Sequence, residues 1–268
     1  MLQTATTQKQ IWGNSVSESA SLKKESKNQA SIRSIPVLEP FFVHKIPPWK
    51  RTMDIIGAIL GLILFTPLIL FISLLIKIVS PGPILFKQER VGLGGKLFQF
   101  LKFRTMKVGA DTTKHQQYFA DLIKCSSSKD NSEKCMVKLD NSNIEIIRFG
   151  KILRNTCLDE LPQLINVLRG DMSLIGPRPP ICYEVEKYLR WHNGRFDSVP
   201  GMTGLWQVSG KNRLTFSEMI RLDVQYSRRF SFWLDIKILL MTPSAVISQF
   251  MDGFQKEKRG LIGGKQNV

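Results

Sequence analysis

Hydrophobic and polar positions divide the chain sharply near Ile55. Residues 1–48 are rich in Ser, Lys, Gln and Thr and carry almost no apolar periodicity, which predicts a mostly disordered polar N-terminal tail. From Ile55 to Ile76 the chain then runs twenty-two residues without a charge, "IIGAILGLILFTPLILFISLLI". As a helix this run covers about 33 Å, enough for the hydrocarbon core of a bilayer. A cleaved leader would place its apolar core nearer residue 1, so none is expected. Pro67 in the middle removes one helical hydrogen bond and predicts a kink, with Thr66 placed to cap a second half. Lys45, Lys50 and Arg51 precede the run, and Lys77, Lys87, Arg90 and Lys96 follow it. Basic residues on both flanks favour a re-entrant helix over 49–79, bent at Pro67 and returning to the face it left, over a simple span.

Beyond "SPGP" (80–83) the period shortens. "ILFKQERV" and "KLFQFLKFRTM" approach strand alternation around "GLGG" (92–95), which predicts a hairpin. Those glycines do not make a phosphate loop, because position 97 is Leu and no Lys-Ser/Thr pair follows. Residues 107–145 are polar and read as a variable insertion, with Asp111 placed to cap a short helix ending at Ile123 and "CSSSKDNSEKC" as a loop. Leu161, Leu164, Ile165 and Leu168 make a helical face closed by Gly170; Pro162 is tolerated only in its first turn, so Asp159 and Glu160 fall at the N-terminal end. "GPRPP" (176–180) reads as a rigid loop, 184–192 as a helix, and 199–211 as a Gly-rich loop. Two amphipathic or apolar helices follow, "TFSEMIRLDVQYSRRF" and "FWLDIKILLMTPSAVISQF". Phe232 and Trp233 suit either a membrane surface or core packing. A basic C-terminal tail occupies 252–268.

The net charge of +16 adds an expectation of acidic partners: nucleic acid, anionic lipid or phosphorylated substrates. The basic residues are spread along the chain without a long Lys/Arg block. The four cysteines form no C-x-x-C and the three histidines are far apart, so zinc spacing is missing and the thiols read as free in a reducing cytosol. One constellation carries chemistry. A helix start favours ionised carboxylates and bound phosphate alike. Asp159 and Glu160, with Arg154 upstream and Arg178 locked between prolines, would suit phosphoryl transfer with Mg²⁺. A helix cap rich in acidic residues is the plainer alternative.

Several blocks run in the order of one family: "KRTMD" (50–54), "SPGPILFKQERVG" (80–92), "KFRTM" (102–106), "LRNTCLDELPQLINVLRGDMSLIGPRP" (153–179), "PGMTGLWQVSGK" (200–211) and "LDVQYSRRFSFWLDIKILLMT" (222–242). From Lys50 to Met251 the chain resembles the bacterial sugar transferases, the monotopic phosphoglycosyl transferases. Its tail does not match the multi-helix N-terminal membrane domain of larger members, and 107–145 is longer than in the smallest ones. The resemblance implies transfer of a sugar-1-phosphate from a UDP-sugar to undecaprenyl phosphate with release of UMP, the step that starts assembly of an exopolysaccharide, capsule or O-antigen-type glycan. Asp159 matches the nucleophile that forms an acyl phosphate. Glu160 matches its dyad partner, and the pair would hold Mg²⁺. Arg154 and Arg178 match phosphate-engaging positions, with Lys102 or Arg104 assisting. The block "PGMTGLWQVSGK" is similar to that of members using UDP-glucose or UDP-galactose.

The expected fold is therefore α/β, mixed and helix-rich, and not a Rossmann sheet. A compact cytoplasmic catalytic domain (80–251) carries a Pro-kinked re-entrant membrane helix and amphipathic interfacial helices, on the inner membrane among anionic lipids. Oligomeric state, a homo-oligomer included, is left open. Two other classes compete: a non-catalytic basic membrane-anchored binding protein, and a nucleic-acid module. The second lacks a basic reading helix or stacking strands, so no nucleic-acid partner is expected.

Overall fold

The computed structural model describes residues 43–109, 117, 121–123 and 146–263, with side chains over these ranges except at 212 and 253–263. Residues 1–42 of the expected tail and most of the 107–145 insertion, including the Asp111 cap, lie outside the described residues; the 1–48 tail gives way to helix already at Pro48.

Helix α1, Pro48–Val79, starts at a proline suited to its first turn and continues through Pro67. Thr66 does not cap a second half: its hydroxyl donates to the Leu62 carbonyl 2.6 Å away, inside an unbroken helix. One face is packed along the whole length. Lys50, Asp54 and Ala58 are buried near the start, and Ile72 and Ile76 near the end. Ala58 joins Phe100, Leu164, Val167 and Met172; Ile72 and Ile76 join Phe103, Ile147 and Leu153. Thirty-two residues at helical rise are about 48 Å, and both ends of that length touch the same domain. The opposite face leaves Leu60, Ile63, Leu64, Leu70, Phe71, Leu74 and Ile78 exposed.

The two strands pair as expected, β1 (Leu85–Val91) antiparallel to β2 (Leu97–Phe103), from Leu85 opposite Phe103 to Val91 opposite Leu97. Helix α2 (Gly150–Asn155) and a 3-10 turn over Leu158–Glu160 lead into α3 (Gln163–Arg169). Gly170 closes α3 with φ 88°, a left-handed end that glycine adopts freely. Asn166 ties α3 to β2: its side chain accepts from the Leu101 N–H (3.1 Å) and donates to the Gln99 carbonyl (2.7 Å). A short parallel pair follows, β3 (Ser173–Ile175) beside β4 (Gly201–Thr203).

Between β3 and β4 the expected helix over 184–192 is replaced by α4 (Cys182–Val185) and a 3-10 stretch, Arg190–Asp197. Tyr188 packs against His192, Phe196 and Phe216, and the fully buried Arg195 anchors the stretch. Tertiary packing thus overrides local helical preference. The Gly-rich 199–211 segment is more than a loop, since it supplies β4 and the single turn α5 (Leu205–Val208). Helix α6 (Phe216–Arg229) opens with a capping box between Thr215 and Glu218. Helix α7 (Phe232–Gly263) runs past residue 252. The basic segment set apart from 252 therefore begins inside a helix, as the good helix formers Gln255–Arg259 allow.

Trp233 is 78% exposed and Phe232 44%, with Leu240, Ile247 and Met251 also outward. Core packing is excluded for Trp233. Both α1 and the Phe232–Asp252 part of α7 are long and apolar enough to cross a membrane.

The basic flank ahead of the apolar run serves a different purpose from the one expected. Lys50 is buried, and its ammonium donates to Asp235 (2.6 Å), the Tyr226 hydroxyl (3.1 Å) and the Ile175 carbonyl (3.0 Å). Arg51 donates to the Val167 and Leu168 carbonyls at the end of α3, where a cation suits the helix dipole. Lys50→Met should cost about 3–5 kcal/mol, because it strands a buried carboxylate. Removing both charges (Lys50→Met with Asp235→Leu) should recover most of that loss. Urea denaturation of the detergent-solubilised protein measures both.

Candidate active site

The 3-10 turn that carries the carboxylate pair is unusual at its first residue. Cys157 precedes it with φ 57°, one of two non-glycine residues in the left-handed region among those described; Lys211 (φ 38°) is the other. The turn buries Asp159, at 6% exposure, and leaves Glu160 half-buried. The dyad therefore sits one turn before α3, not in its first turn, because Pro162 takes the N-cap position.

Three elements bring cations to it. Lys102 on β2 stands 5.1 Å over the Phe86 ring. Burial pushes its ammonium down to about 8, against an upward pull from Asp159 and Glu160 and a further push down from Arg90 and Arg154. Arg154 occupies the last turn of α2. Arg178 lies in the Gly176–Pro180 loop, 3.3 Å from the buried Glu184. Burial lowers Arg90 to about 10; the Arg178 charge lowers it further, and Glu184, Tyr183 and Glu160 oppose both effects. Tyr183 is pushed up to about 12 by burial and by Glu184. Asp159, Glu160, Lys102, Arg154 and Arg178, identified from sequence, thus fall in one electrostatic neighbourhood, joined by Arg90, Tyr183 and Glu184.

Arg104 does not belong to it. Its guanidinium donates to the Ser80 and Pro81 carbonyls and is buried in holding the "SPGP" turn, so it has no reach to a substrate phosphate.

The Arg178 loop is held from several sides. Arg90 donates to the Pro179 carbonyl (2.7 Å) and lies over the Phe100 ring. The Val91 N–H donates to Pro180. Arg195 donates to the Arg178 carbonyl (2.8 Å) and to Asp223 (2.5 Å). Gly176 and Gly201 approach so closely that a Cβ on Gly201 would lie 2.0 Å from the Gly176 nitrogen, which explains glycine in both motifs. Arg178 is thereby presented on a fixed backbone, the condition for bidentate phosphate contact.

Sequence reasoning missed a network behind the dyad. Gln249 of α7 is buried; its amide donates to the Arg154 carbonyl (3.3 Å), and its oxygen accepts from Lys211 and from the Cys157 thiol (3.5 Å). Both left-handed residues thus meet at one glutamine. The one available signal was an uncharged polar residue in an apolar helix. Arg90 carried a similar signal, a charge on the inward phase of β1.

Among the described residues no three acidic, histidine or cysteine side chains converge as a metal cage. Two adjacent carboxylates do fit Mg²⁺, which commonly takes one or two protein carboxylates and completes its shell with substrate phosphates and water.

A buried Asp159 beside Lys102, with Glu160, Arg154, Arg90 and Arg178 linked to that pair electrostatically, sits on a domain whose two exposed apolar helices are compatible with membrane association. The family model described as bacterial sugar transferase matches residues 45–249, and the chain belongs to that family. It is 44% identical over 199 residues to the galactosyl transferase CpsE of Streptococcus agalactiae, covering 74% of this chain and 42% of that protein. It is 39% identical over 207 residues to the UDP-glucose:undecaprenyl-phosphate glucose-1-phosphate transferase of Caulobacter vibrioides, covering 74% of this chain and 70% of that protein. It is 36% identical to the exopolysaccharide production protein ExoY of Rhizobium meliloti, over 74% and 84% of the two chains. The match thus spans about two fifths of the longest of these relatives and most of the shorter ones.

Gln249→Leu removes one acceptor from Lys211 and one donor to the Arg154 carbonyl. It should lower stability by about 1–3 kcal/mol, measured by chemical denaturation, whereas Gln249→Glu, which keeps an acceptor for Lys211, should lose less.

Proposed function

We propose that this protein transfers a hexose-1-phosphate from UDP-glucose or UDP-galactose to undecaprenyl phosphate, releases UMP, and thereby starts assembly of an exopolysaccharide, capsule or O-antigen-type glycan. The carrying observation is the buried Asp159 beside Lys102, whose ammonium also feels Glu160, Arg154 and Arg90, with Arg178 next in line through Arg90. The relatives' names support the substrates.

In the first step a carboxylate oxygen of Asp159 attacks the β-phosphorus. The bond from that phosphorus to the oxygen bridging to the α-phosphate breaks, and UMP leaves with the oxygen and its electron pair. In the second step a lipid phosphate oxygen attacks the same phosphorus, the acyl phosphate bond breaks, and the Asp159 carboxylate returns. Dividing the transfer lets one cationic pocket serve both displacements. Arg178 and Arg154 hold the diphosphate oxygens, and the Lys102 ammonium offsets charge as UMP departs. Mg²⁺ held by Asp159, Glu160 and the diphosphate would supply further charge neutralisation when bound.

The reading places the protein on the cytoplasmic face of the inner membrane, with α1 entering the bilayer by its exposed face and not crossing it. Packing of both ends of α1 on one domain supports this, since a crossing helix would separate them.

Asp159→Asn decides between chemistry and capping. Asn keeps the size and hydrogen-bonding oxygen of Asp, so a merely structural role in the 158–160 turn predicts persistent turnover. The proposal predicts complete loss with the fold intact. Wild-type protein given labelled UDP-sugar without lipid should retain label on the "CLDELPQL" peptide with one equivalent of UMP.

The alkaline limb tests Lys102. Its ammonium attracts the diphosphate and is lost as pH rises through about 8, well below the ordinary lysine value. The kcat/KM for the UDP-sugar should therefore fall above that pH. Lys102→Arg stays charged and should carry the limb upward by more than one unit; an unmoved limb would assign it to another group.

A further inference from the structure

The outer face of α6 forms a second basic recess, apart from the Asp159 cluster. It is a shallow, open recess of about 530 Å³ lined by Trp191, Arg221, Val224, Gln225, Arg228 and Arg229. Arg221, Gln225 and Arg228 recur at intervals of four and three residues, so they share one stripe of the helix. The other face of α6 is buried through Met219, Ile220, Asp223 and Tyr226. No acidic side chain lines the recess, and its volume falls in the range of small-ligand sites. The carbonyl end of a helix repels anions; Arg228 and Arg229, in that last turn, reverse the local sign. None of these residues enters the proposed chemistry.

The surroundings select the ligand. Phe230, the residue that ends α6, packs on His44 and Trp49 at the start of α1, with ring centres 5.8 and 6.5 Å apart. Phe232 and the outward Trp233 open α7. The recess therefore adjoins the region where α1 and α7 begin. Exposed aromatics beside arginines are the pattern of a membrane–water boundary. A soluble nucleotide would make no use of the exposed apolar residues of α7 (Phe232, Trp233, Leu240, Ile247), whereas a phospholipid has chains to lay on them.

We propose that this recess binds the phosphodiester headgroup of an anionic phospholipid, with Arg221, Arg228 and Arg229 on the phosphate and Trp191 at the interface. The inference rests on the reading that α1 and α7 sit in a bilayer.

The full chain is reconstituted in nanodiscs of phosphatidylcholine mixed with phosphatidylglycerol, and the lipids that stay bound after release into detergent are weighed by native mass spectrometry. Wild-type protein should retain phosphatidylglycerol preferentially. Replacing all three arginines by Gln should cut that preference on the order of a hundredfold, at roughly a factor of ten or less per charge. Replacing them by Lys should preserve most of it, which separates charge loss from misfolding. Equal retention of the two lipids by wild-type protein that has entered the discs overturns the recess proposal alone; failure to enter discs overturns the bilayer reading. Displacement of the retained lipid by millimolar inorganic phosphate or UMP, in the absence of phosphatidylglycerol preference, would make the recess a soluble-phosphate site and also overturn the proposal.

Discussion

A single buried ammonium joins the parts of this molecule that have to keep register. Lys50, in the first turn of α1, is held by Asp235 at the start of α7, by Tyr226 of α6 and by the carbonyl of Ile175 at the end of β3. Tyr226 closes the knot by donating to Asp235 at 2.7 Å. Burial and the adjoining carboxylate push its phenol pKa well up, so it stays a donor. The next residue after Ile175 is Gly176, where the Arg178 loop begins. Asp54, one turn along α1, accepts from the Ser173 hydroxyl and the Leu174 N–H of the same strand. Away from water such bonds are strong and costly to leave half made. The two exposed apolar helices and the Arg178 loop are thus referenced to one fixed point.

That arrangement gives the excess of positive charge two distinct uses. Some cations are consumed internally: Lys50, Arg51, Arg104 and Arg195 are spent on carbonyls and carboxylates, and they set geometry. Others stay poised. Lys102 near neutrality, and Arg178 on a backbone pinned by Arg90, Arg195 and the Gly176–Gly201 contact, are what a diphosphate would meet. The carboxylates of the dyad are a minority among these cations, a balance that would attract an anionic ligand.

How much of this was legible follows from the range of each interaction. The hairpin, the helix closed by Gly170, the rigid proline loop and the two C-terminal helices were readable because period and breaker residues are local signals. The carboxylate pair and Arg154 were readable for the same reason, lying within one short block. Lys50 and Arg51 were read as flanks of an apolar run because their partners stand more than a hundred residues away. Arg104 was grouped with Lys102 by the resemblance, but it lies just past the end of β2, where the Ser80 and Pro81 carbonyls take its guanidinium. Gln249 and Lys211 could not be placed at the dyad at all, since no local pattern says where a distant helix docks. The 184–192 segment failed for a related reason: its aromatic and arginine anchors are satisfied by α6, not by its own turns.

The continuous packing of α1 has a consequence for chemistry. An acceptor anchored in a bilayer presents its phosphate at the depth of the headgroups, and an enzyme must bring its nucleophile to that depth without exposing it to lipid. A helix attached to the domain only at one end would leave that depth to the stiffness of a linker. Here the same face of α1 touches the cluster around Leu164 and Val167 and the cluster around Phe103 and Leu153, so it brackets the 158–160 turn from both sides. In the proposed bilayer setting, the exposed face would set how far the helix sinks, and the packed face would pass that depth to the 158–160 turn. Gln249 would do the same from α7, the second apolar helix, through the backbone of Arg154. On the proposed reading, membrane depth and the position of Asp159 would form a single structural variable, set by which face of each helix is apolar.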